Sequence, residues 1–169
     1  MTINKSILDE SVSFKKEGYF VLAVSGSTSL DDYHKIAGCL QKTILNIVQH
    51  TSITKQKIIL LSGGAKGVDS IAKKFAQENN INFVEIKANW KRYRKGAGPI
   101  RNQKIIDSAN ALIAFKKPTS TGTTDTIRKA IAIGMPTMIL YYNSDGEFVE
   151  QSMTFERFAE IINNRFASD

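Results

Sequence analysis

Cysteine and histidine are scarce in this chain of 169 residues, which holds one Cys and two His. Because a disulfide needs two cysteines, a disulfide framework is excluded, and a cytoplasmic location is expected. A structural zinc site takes four ligands that are mostly Cys and His, so we expect no bound metal.

Long apolar runs are also absent. No stretch approaches eighteen consecutive apolar residues, so no membrane span is predicted. The opening MTINKSILDESVSF carries acids and polar residues where a signal peptide needs an apolar segment. The length and the 42% hydrophobic content predict one globular domain over residues 1–169, with 1–17 as an added arm or helix. A net charge of +7 favours an anionic partner: a nucleotide, a nucleic acid or an acidic surface.

What the chain does have is a regular alternation of apolar runs and helical patterns. The apolar runs predict strands at 19–26, 57–64, 82–88, 111–117 and 136–142. Helical patterns lie at 30–50, 68–79, 99–109, 123–133 and 152–166. Continuous apolar strands separated by helices are typical of a parallel sheet covered on both faces. The predicted fold class is therefore α/β, with a doubly wound, mainly parallel sheet of five strands or slightly more.

Four polar or glycine-rich segments follow the first four predicted strands, at 25–28, 63–69, 89–102 and 119–125. Ligands of open α/β sheets bind beyond the carboxyl ends of the strands. Glycine lets backbone amides approach an anion, and a helix starting directly afterwards adds free N–H groups. SGGAKGVD (62–69) and STGTTD (120–125) are therefore predicted to hold phosphates. The alternative, that such turns only cap the next helix, stays open.

Neither turn matches a standard nucleotide motif. The Gly-Lys-Ser/Thr of Walker A is missing, and so is the GxGxxG of dinucleotide-binding folds. We therefore expect no bound cofactor. Asp69 and Asp125 are the acids of the two turns, and each could cap its helix or accept a hydrogen bond from a ribose hydroxyl.

Residues 87–104 form a basic segment with seven Lys or Arg and with Trp90 and Tyr93 interleaved. Arginines such as Arg94 and Arg101 pair bidentately with phosphate, and aromatic rings stack on bases. The same composition suits single-stranded nucleic acid. The alternative is a solvated basic loop with Trp90 buried in the core.

In this order, the motifs SGGAKGVDSIA, W-x-x-Y, AGPIRNQ-x-I and STGTTDTI resemble the SLOG superfamily over residues 18–142. The resemblance is strongest to the small Rossmann-like branch related to YspA and YpsA, often carried by phages and mobile elements. The superfamily also contains DNA-processing protein A, which binds single-stranded DNA, and the Lonely Guy phosphoribohydrolases.

This resemblance implies a Rossmann-like fold, a homodimer or higher homo-oligomer, and a nucleotide- or ADP-ribose-type ligand at the strand carboxyl ends. Together with the motif reading, it gives a set of ligand-binding candidates: Gly26, Ser27, Gly63, Gly64, Asp69, Trp90, Arg94, Arg101, Asn102, Ser120, Gly122, Thr123 and Asp125.

Two departures from the family pattern bear on activity. Relatives often have Arg after the first Gly-Ser, where this chain has Thr28. The Lonely Guy pattern PGGxGTxxE places a Glu where this chain has Thr126, one residue after Asp125. On a helix, that shift rotates the carboxylate by about 100°.

Three functions are therefore compared. The leading one is binding of a nucleotide-derived ligand without turnover, as a sensor or as a phage anti-defence protein that sequesters a signalling nucleotide. The second is phosphoribohydrolase or N-glycosidase activity, with Asp125 and Arg101 as catalytic residues. The third is binding of single-stranded nucleic acid through residues 87–104.

Overall fold

The structure is a computed structural model that describes residues 14–166. Within them, one sheet has the strands β1 (Phe20–Gly26), β2 (Ile58–Ser62), β3 (Asn82–Glu85), β4 (Ala111–Lys116), β5 (Thr137–Tyr142) and β6 (Phe148–Gln151). The α-helices are α1 (Tyr33–His50), α2 (Val68–Glu78), α3 (Trp90–Tyr93), α4 (Ala97–Ser108), α5 (Thr121–Ala132) and α6 (Phe155–Phe166). Short 3-10 turns lie at Phe14–Glu17, Lys55–Lys57 and Arg94–Gly96.

The strands lie in the order β3-β2-β1-β4-β5-β6. Strands β1 to β5 are parallel, and β6 pairs antiparallel with β5. This is the strand order of a doubly wound Rossmann fold. The predicted α/β fold with a mainly parallel sheet is confirmed.

Helices cover both faces of the sheet, which explains why the central strands are continuous apolar runs. Leu22 of β1 belongs to the core on one face, with Ile36 of α1 and Phe158 of α6. Its neighbour Val21 belongs to the core on the other face, with Ile105 of α4. Because successive side chains of a strand point to opposite faces, both must be apolar when both faces are covered.

The strand order also determines where a ligand can bind. From β1 the chain moves outward to β2 and β3, and it then returns to the other side of β1 to form β4 and β5. The connections after β1 and β4 therefore leave in opposite directions. Such a switch point opens a crevice at the carboxyl ends of the strands.

Several predicted boundaries were wrong. Strand β6 was missed, because its residues are largely exposed and give no apolar run. As a result the last helix begins at Phe155 rather than at 152. The predicted loop 89–98 contains α3 and a 3-10 turn, and α4 begins at Ala97. Helix α1 begins at Tyr33 rather than at 30, and β3 ends at Glu85 rather than at 88.

The proposed N-terminal arm or helix at 1–17 lies mostly outside the described residues, which begin with the 3-10 turn Phe14–Glu17. Among the residues that the structure describes, no helix is both long enough and apolar enough to cross a membrane.

Candidate functional site

A cleft of about 240 Å³ lies at the switch point. Its walls come from the end of β1, from the turns after β1, β2 and β4, and from Arg101, Asn102 and Ile105 of α4. Most of the lining residues are Gly, Ser, Thr or charged, and the exceptions are Asn102 and the apolar residues Val24, Ala65 and Ile105. The two glycine turns predicted from the sequence therefore face one polar cleft.

The turn after β1 is packed tightly against the start of α2. A Cβ on Gly26 would lie 2.5 Å from Val68 Cγ2, so only glycine fits there. Ser27 is buried, its N–H donates to Phe115 O, and its carbonyl accepts from the N–H of Val68. The first amide of α2 is thus satisfied by the protein itself.

Gly67 packs so closely against the backbone of the loop after β1 that no side chain fits there. Its φ of +73° lies in the left-handed region, and an added Cβ would be 2.5 Å from Ser27 O. Glycine is the residue that tolerates both conditions. Gly67 belongs to the SGGAKGVD turn that was predicted to hold phosphate. In the structure, it allows this turn to pack against the loop after β1.

The Asp69 side chain stabilises the turn after β2 by a hydrogen bond. Its carboxylate accepts from the Ala65 N–H at 3.1 Å, so one of the amides expected to face an anion is already occupied. Burial raises the pKa of Asp69 to about 6, although the Ala65 amide and the Arg101 guanidinium favour the charged form. The nearby Glu85 carboxylate adds to the increase.

Arg101 reaches from α4 into the cleft. Its Nη1 donates to Gly63 O at 2.5 Å and its Nε donates to Asn102 Oδ1 at 3.0 Å. These two bonds fix the orientation of the guanidinium plane. They use two N–H donors, and an arginine side chain has five. The remaining donors are available to a ligand in the cleft.

Asn102 is buried and connects α4 to α5. Its Nδ2 donates to Gly122 O at 3.3 Å and to Asp125 Oδ2 at 3.0 Å. Because its Oδ1 accepts from Arg101, one side chain ties the arginine to the turn after β4. The geometry of Arg101 relative to α5 is therefore preorganised.

Asp125 is already engaged in bonds within the protein. Its Oδ2 accepts from Lys129 Nζ at 2.5 Å as well as from Asn102. Burial alone would raise the pKa of Asp125, but the hydrogen bonds from Lys129 and Asn102 and the charges of Lys129 and Arg128 outweigh it and lower the pKa. A carboxylate held in this way is a weak proton acceptor.

The start of α5 is the part of the cleft with unused donors. Among the described residues, no hydrogen bond occupies the amides of Gly122 and Thr123. Ser120 stands at the N-cap position without making a capping bond, since its Oγ accepts from the Lys117 N–H instead. An added Cβ on Gly122 would meet no atom within 4 Å. A helix start in this state is suited to an anion.

The structure brings most of the predicted ligand-binding residues together. The cleft is lined by Gly26, Ser27, Gly63, Asp69, Arg101, Asn102, Ser120, Gly122 and Thr123.

Four predicted residues are not part of the cleft lining. A Cβ on Gly64 would lie 2.8 Å from the Glu85 carboxyl carbon, so this glycine faces an acid rather than the cleft. Trp90 and Arg94 lie on the exposed segment before α4. Trp90 is 59% exposed, which corrects the alternative that it is buried in the core. Asp125 stands behind Asn102, outside the lining.

The list of ligand-binding candidates omits eight residues of the cleft lining: Val24, Ser25, Thr28, Ser29, Ala65, Ile105, Thr119 and Thr121. Thr28 enters the sequence analysis only as a departure from the family. Lys117 was overlooked, and its Nζ donates to Ser29 Oγ at 3.0 Å across the two loops. Lys117 could have been predicted from the sequence, because it directly precedes the PTSTG turn.

Three solved structures share this fold. DNA processing protein A from Streptococcus pneumoniae matches with a TM-score of 0.54 at 16% identity, over 88% of this chain and 57% of that chain. The Helicobacter pylori protein of the same name, described for its single-stranded DNA binding mode, matches with a TM-score of 0.52 at 17% identity, over 86% and 81%. A molybdenum cofactor binding protein from Rippkaea orientalis matches with a TM-score of 0.51 at 19% identity, over 86% of each chain.

At these identities the likeness shows the fold alone. No curated protein matches the chain. Residues 20–93, which run from β1 to the end of α3, match the YAcAr family, described as the YspA, cpYpsA-related SLOG family. The resemblance predicted from the motifs is thus confirmed over residues 20–93, the part of the chain that matches the YspA- and cpYpsA-related SLOG family.

Proposed function

We propose that the cleft binds a nucleotide-derived ligand that carries phosphate and ribose, such as a molecule of the ADP-ribose type. The observation that carries this proposal is the pair of unoccupied amides at Gly122 and Thr123, which share one cleft with Arg101. A helix N-terminus and a guanidinium together attract a phosphate by charge and by directed hydrogen bonds.

Phosphate would bind at the start of α5 rather than at the turn after β2. The Ala65 amide of the β2 turn already donates to Asp69, and the first amide of α2 donates to Ser27. The Asp69 carboxylate also lines the cleft, where it is suited to accept from a ribose hydroxyl. This arrangement separates an anion-binding wall from a hydroxyl-binding wall.

The size of the cleft limits how much of the ligand is enclosed. Pockets that bury a drug-sized molecule have roughly 300–1,000 Å³. With about 240 Å³, this cleft accommodates a phosphate and a sugar while the base lies outside. We therefore expect modest selectivity for the base.

Binding without turnover is favoured over hydrolysis of the N-glycosidic bond. General base catalysis needs a carboxylate near the reacting atoms with a pKa close to the working pH. Asp125 has a lowered pKa, is bonded to Lys129 and Asn102, and does not line the cleft. A sensor or a sequestering protein, such as a phage anti-defence protein, uses capture of this kind.

Calorimetric titration with ADP-ribose tests the proposal. Gly122→Gln should abolish binding, because the new side chain enters open space beside the two free amides. The matched control is Gly38→Gln, since Gly38 is also a helical glycine whose Cβ would meet no atom. Equal binding by both variants would contradict the proposed site.

Chromatography separates capture from catalysis. The protein would be incubated with NAD, with AMP and with ADP-ribose, and free base would be measured. Unchanged ligand is the expected result. Release of base that disappears in Asp125→Ala would establish the hydrolase instead.

A second candidate function is binding of single-stranded nucleic acid, and the exposed side chain of Trp90 favours it. Lys91 and Arg92 follow Trp90 on α3. Exposed aromatic rings among basic residues are typical of surfaces on which bases stack. This surface is separate from the cleft lining.

A gel shift with an oligothymidylate at two salt concentrations tests this second candidate. Affinity that falls steeply with salt and is lost in Trp90→Ala would support it. Salt-sensitive binding that Trp90→Ala leaves unchanged would show only attraction by the net charge of +7.

A further inference from the structure

Lys117 crosses the rim of the cleft. It lies between β4 and α5, and its Nζ donates to Ser29 Oγ, in the loop after β1, at 3.0 Å. Ser29 Oγ lies 3.0 Å from Ser27 Oγ, so a chain of polar contacts joins the two loops. Ser27 and Ser29 both line the cleft.

The partner of this ammonium group is neutral. Other lysines near the site pair with acids: Lys129 pairs with Asp125 and Lys87 with Glu85. For Lys117, no ion pair occurs with any acid in residues 14–166. Hydrogen bonds between charged groups are roughly twice as strong as neutral ones. An anion at the rim would therefore replace Ser29 as the partner of Lys117.

The backbone of Lys117 belongs to the turn that begins α5. Its N–H donates to Ser120 Oγ at 3.1 Å, and this N-cap oxygen makes no capping bond to the helix. The same bond holds the Lys117 backbone against the turn that presents the free amides of Gly122 and Thr123. Backbone and side chain of Lys117 thus both act at the anion-binding wall.

Lys117 and Arg101 approach the cleft from different sides of β1. Arg101 bonds to Gly63, directly after β2, whereas Lys117 follows β4. Strands β2 and β4 flank β1 on opposite sides. Two cations that reach the cleft from opposite sides of β1 match two linked phosphates better than one.

We propose that Lys117 is a second anion-binding residue of the cleft, which selects ligands with two phosphates. The inference rests on the proposed function, in which Arg101 and the start of α5 hold the first phosphate. The Lys117 ammonium group then donates to the second phosphate instead of to Ser29 Oγ. The ligand class is then a nucleoside diphosphate or its sugar ester.

Calorimetric titration with ADP-ribose and with AMP tests this role. Lys117→Met should weaken ADP-ribose binding by about tenfold or more, since a hydrogen bond to a charged group contributes about 1.5–3 kcal/mol. AMP has one phosphate, so its affinity should change by less than about threefold. Lys117→Arg keeps the charge and should restore most of the preference for ADP-ribose.

Lys73→Met is the matched control, because Lys73 is an exposed lysine of α2 outside the cleft lining. It should bind both probes like the wild type. If Lys117→Met weakens both probes equally or neither, the inference is overturned and the proposed function stands. If the wild-type protein binds neither probe, the proposed function fails and the inference fails with it.

Discussion

At the scale of single residues, the polar network of the cleft is built from side chains that serve two turns at once. Asn102 accepts from Arg101 and donates to both Gly122 and Asp125. Asn102 and Asp125 are 23 positions apart, so nothing local in the sequence announces their contact. The motifs identified both residues, but only the fold shows that the Asp125 carboxylate accepts a hydrogen bond from Asn102.

Removing the Asn102 side chain should destabilise the protein. Asn102→Ala removes the hydrogen bonds to Gly122 O, to the Asp125 carboxylate and from Arg101 Nε, and one hydrogen bond to a charged group contributes about 1.5–3 kcal/mol. Urea denaturation measures the change in the free energy of unfolding. Gln103→Ala, at the exposed neighbouring position, is the control and should change it by less than about 0.5 kcal/mol.

Asp69 should make the stability depend on pH. Its pKa is about 6 in the folded chain against an ordinary value of 3.8, so the folded chain binds this proton more tightly than the unfolded chain. The destabilisation from burying the charge is therefore absent below pH 3.8, grows as the pH rises, and is complete above about 6.

The measurement compares the wild type with Asp69→Asn, which cannot ionise. Between pH 4 and pH 7.5, the wild type should lose on the order of 2–3 kcal/mol of unfolding free energy relative to the variant. Parallel pH profiles for the two proteins would show that Asp69 titrates normally.

At the scale of elements, the sequence predicts best those strands whose position is determined by burial of apolar side chains alone. Strands β1, β2 and β4 are buried on both faces, so each is a continuous apolar run that is easily recognised. Strand β6 is an exposed edge strand held by its pairing with β5, and no apolar pattern marks it. Helix α5 begins at Thr121, two residues before the predicted start, because Ser and Gly at a helix start resemble a loop.

The close contact between the loop after β1 and the loop before α2 leads to a further prediction. Gly67→Ala places a Cβ against Ser27 O at a positive φ, whereas Gly18→Ala has a similar φ of +82° and no neighbour within 4 Å. Thermal or urea unfolding should show a loss of about 1–2 kcal/mol for Gly18→Ala. Gly67→Ala should lose roughly 1–3 kcal/mol more, because of the steric overlap. Equal losses would mean that the loops separate without strain.

At the scale of the whole molecule, the doubly wound order brings together segments that are far apart in the sequence. Gly26, Gly63 and Gly122 lie at or after the carboxyl ends of three different strands and meet at one cleft. The sequence predicted this convergence, because parallel strands end at the same edge of a sheet. It did not distinguish glycines that face a ligand from glycines such as Gly64, which packs against Glu85. The homo-oligomer implied by the family resemblance stays a prediction.

The most direct test of the account is a two-dimensional ¹H–¹⁵N NMR titration of the labelled protein with ADP-ribose. The account predicts that the amide signals of Gly122 and Thr123 and the side-chain Nε–H of Arg101 move together, while the Trp90 indole signal stays in place. Movement of the Trp90 indole with unchanged Gly122 and Thr123 amides would contradict it, because the ligand would then occupy the exposed basic segment and not the cleft.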